Sequence, residues 1–145
     1  MFRGNNPARV DEKGRLKLPA DFKRWVDETY GSQFYITSKD GERAEIWPLK
    51  EWEQIEQSLA LAPSSAAKQK FLDVTNYYGQ VVEMDSQGRL LMPQLLREKA
   101  DLKGDVAVLG QNKKLVVIND ERAQAKIAAA PLTGEDLDSL AIPGL

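Results

Sequence analysis

Asp11-Glu12-Lys13-Gly14-Arg15-Leu16-Lys17-Leu18-Pro19 occurs a second time as Asp85-Ser86-Gln87-Gly88-Arg89-Leu90-Leu91-Met92-Pro93. The Asp, Gly, Arg, Leu and Pro positions coincide at one offset, 74 residues from Asp11 to Asp85, close to half of the 145-residue chain. One small unit is therefore used twice. Copies of roughly 50 residues bury too little surface to stand alone. They are expected to share a core, swap elements or oligomerise.

Within each motif the residues divide by task. An Asp that opens a turn bonds its side chain to a backbone N–H two residues on. Gly14 and Gly88, three residues later, suit the left-handed position of a short hairpin turn. Asp11, Gly14, Asp85 and Gly88 are thus the turn-structuring residues. Alternation then sends Arg15 and Lys17 outward and Leu16 and Leu18 inward, as on a half-buried strand. Pro19 and Pro93 are expected at the first position of a following helix.

Outward from the motifs, Phe22, Trp25 and Val26 recur at helical spacing and Gly31 ends that helix. Phe34–Thr37 and Ala44–Trp47 read as strands about a turn at Lys39–Glu42. Pro48 opens a helix through Leu59, and Ser64-Ser65 caps another that runs to Tyr78. The second copy runs from Val81–Met84 to Leu115–Ile118, with Lys113-Lys114 in a solvated turn. The chain divides into a first repeat at 5–50, a helical linker at 51–79, a second repeat at 80–120, and a C-terminal helix and tail at 121–145, the tail poorly ordered.

Composition excludes several chemistries. With neither His nor Cys, there are no thiol, disulfide or His-based catalytic or metal sites. No phosphate-cradling Gly-rich loop is present. The N-terminus lacks a hydrophobic run of signal length and no apolar run approaches a membrane span. A cytoplasmic protein that is not an enzyme and needs no cofactor is expected. Net charge is −2, which alone argues against nucleic acid. The distribution does not: residues 1–24 hold seven basic and three acidic side chains, whereas residues 25–62 hold three and eight. A local positive field steers an anionic partner.

The pattern D-x-x-G-R-[LIV]-x-[LIM]-P, after a short strand and before a helix, resembles the signature of the AbrB-like swapped-hairpin DNA-binding family. The resemblance covers residues 1–118, and two copies at this spacing make it specific. It implies a mainly β fold with short helices (α+β), in which two swapped-hairpin units form an intrachain pseudo-dimeric β-barrel with a helical linker. It implies that Arg15 and Arg89 face double-stranded DNA, supported by Lys13 and Lys17 and more weakly by Arg9, Lys23, Arg24 and Arg97. It further implies a transcriptional regulator that binds short direct repeats in the promoter of the division and cell-wall gene cluster, as a ring of identical subunits on the nucleoid.

Residue chemistry alone leaves two roles open for each Arg. It can pair with its own Asp and stiffen the turn, or present its guanidinium fork to phosphate or guanine. The copies also differ: Lys13 becomes Gln87 and Lys17 becomes Leu91, so the first motif should carry more of the binding. Leu91, apolar and outward, points to a subunit contact. Trp25, Trp47 and Trp52 are read as core or subunit contacts rather than stacking platforms for bases. The competing function is an oligomeric protein-interaction scaffold without sequence-specific DNA binding.

Overall fold

Pairing between the copies, not within them, builds the sheet. The computed structural model describes all residues, Met1–Leu145. The first copy supplies β1 (Asn5–Val10), β2 (Arg15–Lys17), α1 (Ala20–Thr29), β3 (Gln33–Thr37) and β4 (Ala44–Pro48). Helices α2 (Leu49–Leu61) and α3 (Ala66–Tyr77) connect it to β5 (Gln80–Glu83), β6 (Arg89–Leu91), α4 (Gln94–Lys99), β7 (Gly104–Gln111) and β8 (Lys114–Asn119). Then come α5 (Asp120–Ala129) and α6 (Gly134–Leu140). The strand order is β5-β3-β4-β8-β7-β1-β2-β6, and every pair is antiparallel.

Strand β1 thus pairs with β7 of the other copy and β5 with β3, so each N-terminal strand is exchanged. The outermost strands, β5 and β6, are consecutive in sequence and joined by the Asp85 turn, where the Asp85 N–H donates to the Arg89 carbonyl at 3.0 Å. The sheet therefore nearly closes into the expected swapped-hairpin barrel, and its short strands leave little free edge. Side chains alternate: Val10, Leu16, Ile36, Ile46, Leu90, Val108 and Val117 point inward and are at most 4 % exposed. They form one shared core cluster with Phe22, Val26 and Leu96 from the helices. Neither copy encloses this core alone, which is why a half-length unit is not enough.

A pseudo-two-fold axis passes between β2 and β6. Leu16 lies opposite Leu90, its own counterpart at the 74-residue offset. On either side, the Leu18 N–H donates to the Gly88 carbonyl and the Met92 N–H to the Gly14 carbonyl, each at 2.9 Å. Each strand end is thereby bonded to the other copy's turn.

The linker is anchored. The Thr75 carbonyl accepts from the Thr37 and Tyr35 hydroxyls at 2.7 and 2.9 Å. Trp52 stacks on Tyr35 at 4.8 Å and on Phe71 at 6.2 Å. Ser65 caps α3 as expected, accepting from the Lys68 N–H.

Two expectations change. Pro19, Pro48 and Pro93 stand at the N-cap rather than the first helical position, with extended ψ of 143°, 134° and 132°. Each still belongs to the arriving chain, and the Pro19 and Pro93 carbonyls accept from the Lys23 and Arg97 N–H groups. In the expected tail, α6 forms because a capping box closes it: the Thr133 side chain accepts from the Asp136 N–H, and the Asp136 carboxylate from the Thr133 N–H.

Candidate nucleic-acid interface

The first role left open for the arginines, pairing with the turn Asp, is realised in both copies. Asp11 Oδ1 accepts from the Lys13 and Arg15 N–H groups, each at 2.9 Å, and its Oδ2 accepts from Arg15 Nε at 2.9 Å. The second copy repeats this: Asp85 Oδ1 takes the Gln87 and Arg89 N–H groups and Oδ2 takes Arg89 Nε at 2.8 Å. Gly14 and Gly88 adopt φ of 85° and 78°, which residues with a Cβ rarely do. Only Nε of each Arg is engaged; Nη1 and Nη2 make no hydrogen bond within the chain. The carboxylate therefore orients the guanidinium and leaves its outer edge available. Held side chains lose less entropy on binding.

Register places the two copies' outward residues together. Arg15 lies opposite Leu91 and Lys17 opposite Arg89. The inter-strand bonds fall at the 14/92 and 18/88 positions. By alternation, 15/91 and 17/89 are non-hydrogen-bonded pairs, whose Cα atoms approach to about 4.5 Å. Arg15, Lys17, Arg89 and Leu91 thus form two adjacent rungs on one outward face of a two-stranded ribbon, above the buried Leu16 and Leu90. Lys13 is exposed at the turn.

The remaining candidates are placed differently. Lys23 pairs with Asp27 at 2.8 Å, and a Cβ at Gly88 would stand 2.9 Å from its Cδ. Its counterpart Arg97 donates from Nε to the Met92 carbonyl at 2.9 Å, and its guanidinium occupies the space a Cβ on Gly14 would need. Each helix thus lays a basic side chain over the other copy's turn. The basic residues at 23 and 97, one repeat offset apart, were the sequence signal for this arrangement. Arg9 pairs with Asp105 across β1 and β7 at 2.6 Å. Arg24 is exposed and lies 3.9 Å from Asp21.

The aromatic and lysine expectations divide. Trp47 and Trp52 are 9 % and 4 % exposed, and Trp25 packs edge-on against Phe2 at 4.5 Å. Lys113 and Lys114 are not simply solvated. Lys113 Nζ stands 3.6 Å from Glu51, and Lys114 Nζ lies 5.0 Å from the centre of the Trp47 ring. Close approach of β8 to β4 and α2 explains both, because it brings a carboxylate and an aromatic face within reach. Burial is the first cause holding the Lys114 ammonium below its ordinary 10.5.

The turns carry a pH dependence. The Arg15 N–H, aided by its guanidinium and the Lys13 N–H, holds the Asp11 carboxyl below its ordinary 3.8 despite partial burial. Asp85 is held down in the same way, first by the Arg89 N–H. A carboxyl depressed on folding stabilises the turn above its unfolded pKa, and that stabilisation is lost as pH falls through the folded pKa. Amide resonances of Arg15 and Arg89 should therefore shift on acidification with a midpoint below the ordinary 3.8. A midpoint at or above that value would remove the Asp from the turn.

An internally duplicated, strand-swapped barrel with paired Asp-Gly-Arg turns defines the swapped-hairpin class of double-repeat proteins. Residues 1–75 and 79–132 match the family model described as "MraZ protein, putative antitoxin-like". Over the full length of both chains, the sequence is 62 % identical to the transcriptional regulator MraZ of Acidobacterium capsulatum and 52 % identical to that of Koribacter versatilis. It is 38 % identical to the Coxiella burnetii protein of the same name, over 79 % of this chain and 76 % of the relative. The chain belongs to the MraZ family.

Proposed function

We propose that this protein is a sequence-specific DNA-binding transcriptional regulator. It acts in the cytoplasm on the nucleoid, as a ring of identical subunits on short direct repeats in the promoter of the division and cell-wall gene cluster. The observation that carries this reading is the pair of rungs, in which both copies contribute an oriented arginine to one outward face. Two-stranded ribbons of this kind enter the major groove, and guanidinium forks match guanine O6 and N7. Names of close relatives support the regulatory role. Pseudo-symmetry is broken where Lys17 corresponds to Leu91, so the head has a direction, which suits repeats arranged head to tail. Ring assembly reconciles DNA binding with a net charge of −2, because several weak heads on one duplex gain avidity.

Salt titration tests the reading. Log affinity should fall linearly with log salt, with a slope of roughly −2 to −4 for each engaged head if its nearby cations contact phosphate. A promoter repeat should outcompete random duplex. Absence of binding to either duplex at low salt overturns the proposal and leaves the scaffold role.

A further inference from the structure

Leu91 is the one large apolar side chain on the ribbon face, and it is 53 % exposed. Its counterpart by symmetry is Lys17, so the barrel does not require an apolar residue at this position. The sequence alone suggests a subunit contact. Register opposes that, because Leu91 and Arg15 form a non-hydrogen-bonded cross-strand pair. Side chains in such a pair stand closer than the roughly 5.5 Å of hydrogen-bonded partners. A subunit that covered Leu91 would also cover Arg15, whose outer guanidinium nitrogens have no partner in the chain. The two residues therefore meet the same surface.

We infer that Leu91 is a specificity-determining residue that packs against the C5-methyl group of a thymine next to the base contacted by Arg15. This rests on the DNA-binding reading and deepens it. In the major groove only thymine offers a methyl among the four unmodified bases, and apolar side chains recognise it. The head then carries two unlike rungs. Arg15 with Leu91 reads one donor-accepting base and one methyl, while Lys17 with Arg89 presents two cations. The Leu91 side chain makes no hydrogen bond and anchors no turn, so its role is separable from the fold.

The test uses the full chain and a duplex selected by the protein itself from a random library. Each thymine of the selected duplex is replaced in turn by deoxyuridine, which removes only the methyl. One position should weaken wild-type binding about three- to ten-fold, the scale of one buried methyl. Leu91→Ala should bind the thymine duplex more weakly by a similar factor and lose the thymine–uracil difference at that position, with an unchanged melting temperature. Leu91→Lys, which restores the symmetry-related residue, should bind random duplex more tightly at low salt and also ignore the methyl. The inference is overturned if no thymine position matters to wild type, if Leu91→Ala retains the difference, or if Leu91→Ala changes the assembly mass. Failure to select any duplex overturns the underlying DNA reading instead, and this inference with it.

Discussion

A variant with both Arg15 and Arg89 changed to alanine is expected to lose DNA binding by roughly 10²- to 10⁴-fold, with its melting temperature nearly unchanged. Each oriented Arg that contacts a guanine contributes about 1–3 kcal/mol, and the ring proposed above would repeat the loss in every subunit. Folding is spared because Asp Oδ1, not the guanidinium, closes each turn onto the backbone. Neither arginine fills the core. The single variants should differ. Arg89→Ala leaves Lys17 as a cation in the same rung, whereas Arg15→Ala leaves only Leu91. Arg15→Ala is therefore expected to lose more affinity, a difference readable by fluorescence anisotropy on a promoter-repeat duplex. Equal losses would mean that the rungs act independently of their neighbours. Wild-type affinity in the double variant would remove the turns from the DNA-binding surface.

The second large effect concerns the axis. Leu16 and Leu90 are both fully buried and lie opposite each other where the copies meet. Truncating either to alanine should destabilise by about 2–5 kcal/mol, the cost of lost burial plus the residual cavity. Against a typical total of 5–15 kcal/mol, one such change lowers the denaturant midpoint strongly. The double variant is expected to be largely unfolded at 37 °C. Because both side chains border one space, the two losses should not simply add. Leu91→Ala, one residue away but outward, should stay within about 0.5 kcal/mol of wild type, as exposed substitutions usually do. Unfolding followed by circular dichroism distinguishes these outcomes. If Leu16→Ala and Leu91→Ala behaved alike, the inward–outward alternation of the ribbon would be wrong.

These variants also separate what is local from what is assembled. The turn chemistry was legible in the sequence because its determinants lie within five residues. Asp11 reaches the Lys13 and Arg15 N–H groups, Gly14 takes the left-handed conformation, and Leu16 alternates with Arg15 and Lys17. Apart from α6, helix boundaries were legible to within about two residues, since prolines, Ser65 and the spacing of apolar residues act over one turn of chain. Prolines shifted to the N-cap because their extended ψ continues the strand, which a residue pattern alone does not reveal.

Other features depended on distant parts of the chain. Lys113 and Lys114 gained Glu51 and Trp47 only when β8 closed on β4. Lys23 and Arg97 are expected as further cations for a polyanion, and the structure adds that each lies on the other copy's turn glycine. The repeat offset relates these two residues to each other. It does not say which turn they cover, because strand exchange decides that.

By itself, then, the sequence determined the duplicated Asp-Gly-Arg turn, the inward leucines and the need for the copies to combine. Those properties follow from short-range hydrogen bonding, backbone preference and the alternation of a strand. Only the tertiary structure decided that Arg15 faces Leu91 and Lys17 faces Arg89, making one face from two copies. Register between strands about 74 residues apart is set by the Leu16–Leu90 contact and the exchanged β1 and β5 pairings. A slip of one residue would turn the arginines inward, and the closed core permits no such slip.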